Sequence, residues 1–542
     1  MASNILSIGQ SALAAAQVGI SVTGHNIANA STPGYSRQEI VQSAAQAQDF
    51  GFGYLGQGTT VASVKRIYSD LLAKQLNNAQ SSSGATSAYA AQMTQIDNML
   101  ADPAAGLSPA IQNFFASIQS VASNPGDAAS RQAALSSAQA LVARFQGLDN
   151  RLNEIRDSVN QTLSVTTQLV TSYAKQIAQL NDVISKAVGA NKNNPPNDIL
   201  DQRDKIVSDL SKLVKTDVYS QDDGSYNLFI GNGLPLVIGN KAYGLTTVNA
   251  SEDTGRLEVA YVSNTVKTLG DSMLPGGTIG GLLQFRTGSL DSVQNQLGQI
   301  ASVFTQTFNT QHKLGYDATG AIGGNFFNAP TPEVFSNTAN SVGSSLTATI
   351  SSASALTSSD YRVKYDGSNY SIYRLSDTSV QTFSSLPQTL DGITFNGTMA
   401  AGDSFLIEPT RNSASKLSVA ITNISKIAAG DAAGGNGNNR NALLLAALQG
   451  SNTMNNGTIS YENAFGQLVS FVGNKTNELK VNSAAEDALL AQTTAAQQAQ
   501  SGVNLDEEAT NLLRYQQAYQ AAGRVMQIAS TMFDTLLQLG RG

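Results

Sequence analysis

The sequence predicts an elongated, multidomain α+β protein in which terminal coiled-coil helices and an antiparallel helical bundle carry inserted antiparallel β modules. Three observations predict this fold class: heptads of apolar residues at both chain ends, a long helical pattern between them, and two blocks of short alternating β runs. A chain of 542 residues has ample material for several hydrophobic cores. We place a terminal coiled-coil domain at 1–40 and 501–542, a helical-bundle domain at 41–215, 276–324 and 412–500, a small β module at 216–275 and a β-rich outer domain at 325–411.

The C-terminal segment carries the clearest helical pattern. An apolar residue recurs every seven positions, and a second row follows three positions later, which is typical of a helix that packs one narrow stripe against another helix. Asn504 is a suitable N-cap, and residues 505–539 at a rise of ~1.5 Å each would span roughly 50 Å. The first row consists of Leu505, Leu512, Tyr519, Met526 and Phe533, and the second of Tyr515, Ala522, Ala529 and Leu536.

The N-terminal segment repeats this pattern with smaller residues in the second row. Small side chains would let a neighbouring helix approach closely. Chain ends are usually the least ordered parts of a domain, yet both ends here carry strong heptads. Periodicity alone leaves open whether the helices pack on their own domain, on each other or between subunits. The first row is Leu6, Leu13, Ile20 and Ile27, and the second is Gly9, Ala16, Thr23 and Ala30.

An elbow follows the first helix. Pro33 and Gly34 suit the centre of a type II turn, so residues 26–39 should lead from a helix into a strand. Farther on, Gly51-Phe-Gly-Tyr-Leu-Gly matches the dinucleotide-binding pattern. That motif requires a buried strand before it and a helix after it, and neither is indicated. We therefore interpret this segment as a hairpin loop.

Residues 69–215 are predicted to be mostly helical, with one very long helix between Asp127 and Val188. A further helix should start at Asn197 or Asp198. The carboxylates of Asp198, Asp201 and Asp204 lie at helical spacing, which would suit a cation site. Because basic residues are interleaved with them, a capped and solvated helix face is the better interpretation.

Two later blocks read as antiparallel β structure. In the first block, Asp223-Gly224 is a strong hairpin signal. The second block, 325–411, reads as a small sandwich or barrel inserted into the helical frame. Between them, a glycine-rich start at 276–283 leads into a helix that should end near His312. A cation is mildly favoured at such a helix end.

Composition excludes several classes of function. The net charge of −7 and the absence of a Lys/Arg cluster argue against nucleic acid as a partner. The chain has no cysteine, and only His25 and His312 as histidines, so we expect no metal site and no cofactor. No catalytic motif is present, which predicts a protein without enzymatic activity. Neither a signal peptide nor an apolar run of membrane-spanning length is evident, so we expect no membrane insertion.

Two sequence motifs resemble those of the flagellar rod, hook and hook-associated axial proteins. The elbow reads Asn26-Ile-Ala-Asn-Ala-Ser-Thr-Pro-Gly-Tyr-Ser-Arg-Gln, and its Tyr-Ser-Arg ending is similar to the hook-associated protein 1 family. The C-terminal stretch around Leu513-Arg-Tyr-Gln-Gln-Ala is also similar to that family, whereas 325–411 shows no resemblance. The family's axial motif maps onto Asn26, Ile27, Ala28, Asn29, Thr32, Pro33, Gly34, Tyr35 and Arg37.

This resemblance implies a structural subunit that polymerises as a ring at the distal end of the hook and joins hook to filament. It also implies terminal helices that are disordered in the free subunit and form an inner tube after assembly. The implied partners are further copies of the chain, the hook protein, the second hook-associated junction protein, a cytoplasmic export chaperone on the C-terminal region and the flagellar type III export apparatus. The protein would then be extracellular and secreted without a cleaved signal peptide.

On this interpretation the heptad residues are an assembly interface. The alternatives are another axial protein such as the hook protein, a surface adhesin that uses the β insertion, or a peptidoglycan-cleaving enzyme. The predicted interface residues are Leu6, Leu13, Ile20, Ile27, Leu505, Leu512, Tyr515, Tyr519, Met526, Phe533 and Leu536.

Overall fold

A computed structural model of the chain describes residues 2–49, 51, 53–102, 106–191, 194–435 and 437–540. The helices are α1 (Ala2–Asn29), α2 (Asp70–Leu100), α3 (Leu107–Ser123), α4 (Ala128–Ala190), α5 (Asn197–Leu213), α6 (Gly277–Phe285), α7 (Asp291–His312), α8 (Ser413–Lys416), α9 (Arg440–Ala447), α10 (Tyr461–Ser501) and α11 (Leu505–Leu539).

The strands are short and pair in an antiparallel manner. They are β1 (Gln38–Ala44), β2 (Gln48–Asp49), β3 (Tyr54–Leu55), β4 (Thr59–Arg66), β5 (Thr216–Ser220), β6 (Tyr226–Ile230), β7 (Leu234–Ile238), β8 (Lys241–Ala242), β9 (Gly244–Asn249), β10 (Leu257–Val262), β11 (Val266–Thr268), β12 (Phe327–Asn328), β13 (Glu333–Ser336), β14 (Ser345–Ile350), β15 (Tyr361–Tyr365), β16 (Tyr370–Arg374), β17 (Val380–Phe383), β18 (Gln388–Leu390), β19 (Ile393–Thr398), β20 (Ser404–Glu408) and β21 (Ser418–Val419).

The predicted α+β fold class and the long central helix are confirmed. Helix α4 runs for 63 residues, and the Asp127 carboxylate caps it by accepting a hydrogen bond from the Ser130 amide at 2.9 Å. One side of α4 is apolar along its whole length and packs against α3, α5 and α7. The helical body is therefore a bundle arranged around α4.

The core of the body contains a cluster of phenylalanine rings contributed by α3, α7 and β12. Phe114 lies 5.2 Å from Phe308 and 5.7 Å from Phe304 between ring centroids, and all three side chains are buried. Phe326 and Phe327 pack on the same cluster. Aromatic rings in edge-to-face contact bury large apolar areas, so this cluster is a major stabilising element of the body.

The two predicted β blocks are also present. The first forms a four-stranded sheet in the order β5-β6-β7-β8 and a three-stranded sheet in the order β11-β10-β9. The second forms a five-stranded sheet in the order β13-β20-β15-β16-β17 beside a three-stranded sheet in the order β14-β19-β18. The hairpin turn at Gly224 has a φ of 80°, as the Asp-Gly signal predicted.

The segment that matches the dinucleotide pattern is a hairpin, as predicted. Strands β2 and β3 pair through Gln48 with Leu55 and Asp49 with Tyr54. The flanking strands β1 and β4 pair with each other in a separate two-stranded sheet that leads back to the elbow. The glycines therefore lie in a turn between strands, without the strand-to-helix geometry that phosphate binding requires.

His312 does not carry the positive charge that its position at a helix end mildly favoured. The side chain is fully buried, its Nδ1 lies 2.8 Å from the Gly324 carbonyl oxygen, and its Nε2 accepts a hydrogen bond from the Ala428 amide at 2.9 Å. Burial lowers the pKa of His312, which favours the neutral ring. The prediction was wrong because the segments around 324 and 428 cover the end of α7.

Candidate assembly interface: the terminal helix pair and its elbow

Helices α1 and α11 pack against each other in antiparallel orientation, and we refer to them as the terminal pair. Gly9 faces Met526 near one end of the pair, and Asn26 contacts Glu508 near the other end. A Cβ atom at position 19 would lie only 2.6 Å from the Tyr515 ring. Close packing of these helices therefore depends on the absence of a side chain at Gly19.

The buried stripe of the terminal pair is formed by the second heptad row of each helix. Ala522 and Ala529 on α11 are 5% and 0% exposed, and Ala16 and Thr23 on α1 are each 3% exposed. The small residues of α1 allow the predicted close approach. The two helices of one chain therefore cover each other. Periodicity alone had left open whether they pack on their own domain, on each other or between subunits, and within a single subunit they pack on each other.

The first heptad rows lie at the margin of this seam and remain largely open to solvent. Their half-buried members are Leu13, Ile20, Leu512 and Met526, together with Tyr515 from the second row. The exposed members are Leu6, Ile27, Leu505, Tyr519 and Phe533, with exposures of 37–55%. The side chain of Leu536 lies outside the residues that the structure describes.

Helical geometry places both first rows on the same side of the terminal pair. In each helix the first row is rotated about 60° from the buried row in the same sense, because a residue three positions earlier is offset by that angle. Since the helices are antiparallel, equal rotations point to the same side. Leu6, Leu13 and Ile20 thus share one apolar face with Leu512 and Tyr519.

A second set of exposed apolar residues on α11 was missed by the heptad reasoning. Val525, Ile528 and Met532 are 38–56% exposed and are separated by three and four positions. This spacing is itself a helical signal that would have found them. They lie on the opposite side of the seam from the first row, and Leu513 and Leu537 are exposed as well.

The elbow begins with the predicted type II turn. The Tyr35 amide donates to the Thr32 carbonyl oxygen at 3.2 Å, and Gly34 has a φ of 85°, which the third turn position requires. The exposed members of the axial motif are Ile27, Ala28, Thr32, Pro33 and Gly34, and Asn29 is half-buried. The turn directs the following residues back toward the base of the terminal pair.

Asn26 lies at the centre of a buried hydrogen-bond network. Its side chain is 1% exposed, and its Nδ2 donates to the Gln38 carbonyl oxygen at 2.9 Å and to the Glu508 carboxylate at 3.0 Å. Its Oδ1 accepts from the Tyr35 hydroxyl at 2.7 Å and from the Gln38 amide at 3.0 Å. Burial and nearby carboxylates raise the pKa of Tyr35, so its hydroxyl keeps the proton that it donates.

Arg37 connects the elbow to the start of α11. Its guanidinium lies 2.8 Å from the Glu508 carboxylate and 2.5 Å from the Glu507 carboxylate. The Arg37 amide also donates to the Ser501 carbonyl oxygen at 2.8 Å. The predicted N-cap is confirmed in the same place, because the Asn504 side chain accepts from the Asp506 amide at 3.0 Å.

The acidic face of α5 is only partly solvated, because Asp201 is buried against the elbow and Asp204 is half-buried, so the prediction of a solvated face was wrong for these two residues. Asp201 is 5% exposed and accepts hydrogen bonds from the Ser36 amide and hydroxyl, each at 2.8 Å. Arg66 bridges Asp201 at 2.7 Å and Asp204 at 2.6 Å. Asp198 remains exposed and lies 3.3 Å from the His25 ring nitrogen.

The predicted cap of α5 was also wrong, because Pro196 occupies the N-cap position without a side-chain hydrogen bond. The Asn197 side chain is instead used to donate to the Val64 carbonyl oxygen and to Gln38. Within the part of the chain that the structure describes, no group of three or more His, Asp or Glu side chains is arranged to hold a metal ion.

The expectation that no segment has membrane-spanning character requires a correction. Residues Asn4–Asn29 have a mean hydropathy of 1.5. By length and composition alone, this helix is long and apolar enough to cross a membrane. The absence of charges raises this value, although no long run of apolar residues is present. One face of the helix packs on α11, and its flank contacts the β1–β4 hairpin.

Profiles of known families match most of the chain. The helical domain of flagellar hook-associated protein FlgK matches residues 93–327, and the D2-like domain of flagellar hook-associated protein 1 matches 335–409. The latter covers the β insertion in which the sequence motifs had shown no resemblance. The flagella basal body rod protein profile matches 6–35, and the C-terminal profile of basal body rod FlgEFG proteins matches 497–539.

Individual relatives extend over nearly the whole chain. Flagellar hook-associated protein 1 of Escherichia coli (strain K12) is 38% identical over 547 residues, which cover 99% of this chain and 100% of that protein. The protein of the same name from Bacillus subtilis (strain 168) is 25% identical over 97% of this chain and 96% of that protein. A solved structure of the flagellar hook junction protein FlgK from Burkholderia pseudomallei is 30% identical and superposes with a TM-score of 0.74 over 78% of this chain and 99% of that chain. The chain therefore belongs to the flagellar hook-associated protein 1 family.

Proposed function

We propose that the terminal pairs of neighbouring copies pack side by side, and that the ring so formed at the distal end of the hook joins hook to filament. The observation that carries this proposal is the apolar surface left open along both flanks of the seam. Tyr519, Met532 and Phe533 are each 44–50% exposed in the single chain. Exposed apolar patches of this extent mark interaction surfaces.

Burial of the exposed apolar side chains between copies would stabilise the ring. Burying a Leu, Met or Phe side chain fully contributes about 1.5–3 kcal/mol, so covering the remaining half of each exposed side chain contributes about 1 kcal/mol. Each terminal pair has an apolar flank on two sides of its seam. A contact between two different faces repeats from copy to copy and closes into a ring when the rotation permits.

The two ends of the ring would contact different partners along the flagellar axis. As a member of its family the chain is a structural, hook-associated subunit of the flagellum. We place the hook protein on one end of the ring and the second hook-associated junction protein on the other. Before assembly, a cytoplasmic chaperone would cover α11, because Ile528, Met532 and Phe533 would otherwise favour aggregation.

The export route and the lack of enzymatic activity belong to the same proposal. The chain would leave the cell unfolded through the flagellar type III apparatus, without a cleaved signal peptide. A sequence without cysteine forms no disulfide during such a passage. A zymogram on peptidoglycan and a binding assay with the whole chain would test the enzyme and adhesin alternatives.

The central test is complementation of a strain that lacks this chain. We expect hooks without filaments and flagellin secreted as monomer in the deletion strain, and filaments restored by the full chain. Variants without residues 2–30 or 505–542 should yield a folded body that does not restore filaments. Normal filaments on either truncated form would refute the assembly role of the terminal pair. Naked hooks also separate this function from that of the hook protein, whose loss would remove the hook itself.

The proposed domain boundaries are tested in the same strain. Replacing residues 340–410 by a short linker should preserve the junction, because these residues lie in the β insertion and not in the terminal pair. Arg411 would lose Asp360 and Glu408 but keep Asp291 within 3.7 Å. Loss of the junction in a variant that still folds would place an essential contact in the insertion.

A further inference from the structure

We propose that the elbow is a two-layer polar joint that fixes the direction of the terminal pair relative to the helical body, with Asn26 and Arg37 as its positioning residues. We refer to Asn26, Ser36, Arg37, Gln38, Arg66, Asp201 and Glu508 as the elbow joint. The inference rests on the proposed function, because a ring forms only if every terminal pair leaves its body at the same angle.

The first layer ties α1, the elbow strand and α11 together. Asn26 uses both amide hydrogens and both acceptor positions of its carbonyl oxygen, and its partners come from two separate segments, the elbow and α11. Glu508 is 1% exposed, and Arg37 places its guanidinium 2.8 Å from that carboxylate. These contacts favour one arrangement of the segments, because moving any one of them would break a buried hydrogen bond or ion pair.

The second layer ties the elbow to the body. Ser36 holds Asp201 of α5 through two hydrogen bonds, and Arg66 at the end of β4 binds the same carboxylate. Gln38 belongs to both layers. Its backbone bonds to Asn26, whereas its side chain donates to Asp198 at 2.8 Å and accepts from Asn197 at 3.2 Å.

Directional bonds are needed at this place because an open cleft borders the elbow. Gly34 approaches the aliphatic part of Lys205, and a cleft of about 820 Å³ opens between the elbow, α2, α5 and the end of α10. Apolar contacts are non-directional, and an open cleft does not resist a change of angle. The hydrogen bonds and ion pairs of the elbow joint are the contacts that define the angle.

A charge swap in the complementation strain tests this inference. Arg37→Glu places a carboxylate beside Glu507 and Glu508, and Glu508→Lys places an ammonium beside Arg37. We expect each single variant to reduce the chain attached to isolated hooks at least about tenfold, because it leaves a buried charge without its partner. The double variant should recover part of that loss, because it restores the pair between positions 37 and 508 but not the hydrogen bond from Asn26 to Glu508. Arg37→Lys should be intermediate, because an ammonium does not reproduce the guanidinium fork that reaches two carboxylates.

A pair of amide substitutions tests the first layer separately. Asn26→Asp keeps the acceptor oxygens but removes the two donated hydrogen bonds and adds a charge 3.0 Å from Glu508. Asn482→Asp is the matched control, since it makes the same change at an exposed position of α10, outside the elbow and the axial motif. We expect attachment to be lost in the first variant and retained in the second.

One control variant and two control measurements separate a positioning role from effects on folding and export. Arg151→Glu reverses an arginine that is 69% exposed and pairs only loosely with Glu154 at 3.9 Å, so attachment should be unchanged. The amount of each variant secreted into the medium and the melting transition of the purified chain should also match the unsubstituted protein. A variant that is exported and folded but not attached has the defect expected of a positioning residue.

The outcomes distinguish this inference from the proposed function. If the unsubstituted chain does not restore filaments, both fail. If it does, and the Arg37→Glu/Glu508→Lys double variant is no better than the worse single variant, the elbow joint is overturned while the ring remains. Equal losses in Asn26→Asp and Asn482→Asp would overturn it as well.

Discussion

The helical body and the terminal pair are both built from long helices, but they treat their apolar surface in opposite ways. In the body, Phe114, Phe304 and Phe308 are buried by α3, α4, α7 and β12. In the terminal pair, the buried stripe consists of alanine, glycine and threonine, while Met532 and Phe533 are each 50% exposed. The body closes its core within one chain, whereas the pair leaves its largest side chains available.

The difference follows from the number of layers. A helix in the body is covered on several sides, so large side chains fill the space between elements. Two helices alone cover one stripe each, and small residues in that stripe, such as Gly9 and Gly19, bring the backbones close together. Larger residues are then left on the flanks. On the proposed function, further copies of the chain would supply the layer that covers these flanks.

The largest expected effect is on the stability of the body. Phe114→Ala removes a fully buried ring from the aromatic cluster and should lower the free energy of unfolding by about 3–5 kcal/mol in urea denaturation. Phe533→Ala is the matched control in the terminal pair and should change it by less than about 0.5 kcal/mol. Equal losses in the two variants would show that the pair and the body share one core.

The second prediction concerns a substitution in the terminal pair that should affect attachment but not stability. Phe533→Asp should abolish filament attachment in the complementation strain, because a carboxylate would have to be buried between copies without a partner. The melting transition of the purified chain should stay where it is. A large loss of stability in this variant would instead mean that α11 packs on its own domain, and the contrast between the two regions would not hold.

The third prediction compares two glycines of the same helix. Gly19→Ala forces a Cβ to within 2.6 Å of the Tyr515 ring and should destabilise the terminal pair by about 1–3 kcal/mol. Gly24→Ala meets no atom within 4 Å and should favour the helix by up to about 1 kcal/mol. Both variants would be compared by their attachment to hooks and by their helix content in circular dichroism. Equal behaviour of the two variants would contradict close packing at Gly19.

Local patterns were enough to predict the elements of the fold and part of the interface. Heptads located α1 and α11, Pro33 and Gly34 located the turn, and Asn504 located the cap. These signals depend on neighbours within a few residues, so they can be read from one stretch of chain. The first-row residues remain a predicted interface, since the neighbours proposed for them would belong to other copies.

Long-range partners account for what the sequence reasoning missed. Asp201 was taken as solvated because Ser36 and Arg66 lie 165 and 135 residues away along the chain. The burial of His312 was not predicted because its cover comes from Gly324 and Ala428, beyond the end of its helix. Nothing in the local spacing of either residue indicates such a partner. Val525, Ile528 and Met532 were missed because they lie outside the two heptad rows, although their spacing of three and four positions is itself a helical signal.

The smallest predicted effect is a pH dependence confined to the body. The Ala428 amide donates to His312, so a proton on that ring would displace a hydrogen bond in a buried site. Because burial lowers the pKa of His312 in the folded chain, the unfolded chain binds the proton first as the pH falls. The stabilisation from this residue is therefore present above about pH 6.5, the value of a free histidine, and is lost as the pH falls toward the lower folded value.

His312→Gln removes this titration and isolates it from the other groups, of which Asp149 acts in the opposite direction because burial raises its pKa to about 6. We expect His312→Gln to be less stable than the unsubstituted chain at pH 8, and the difference to shrink between pH 7 and 5 in urea denaturation. Attachment of the terminal pair should be unaffected by this substitution over the same range, because His312 lies in the body and contacts neither α1 nor α11. A constant difference in stability across that range would mean that His312 keeps its ordinary pKa in the fold, and that its buried bonds to Gly324 and Ala428 do not restrict its protonation.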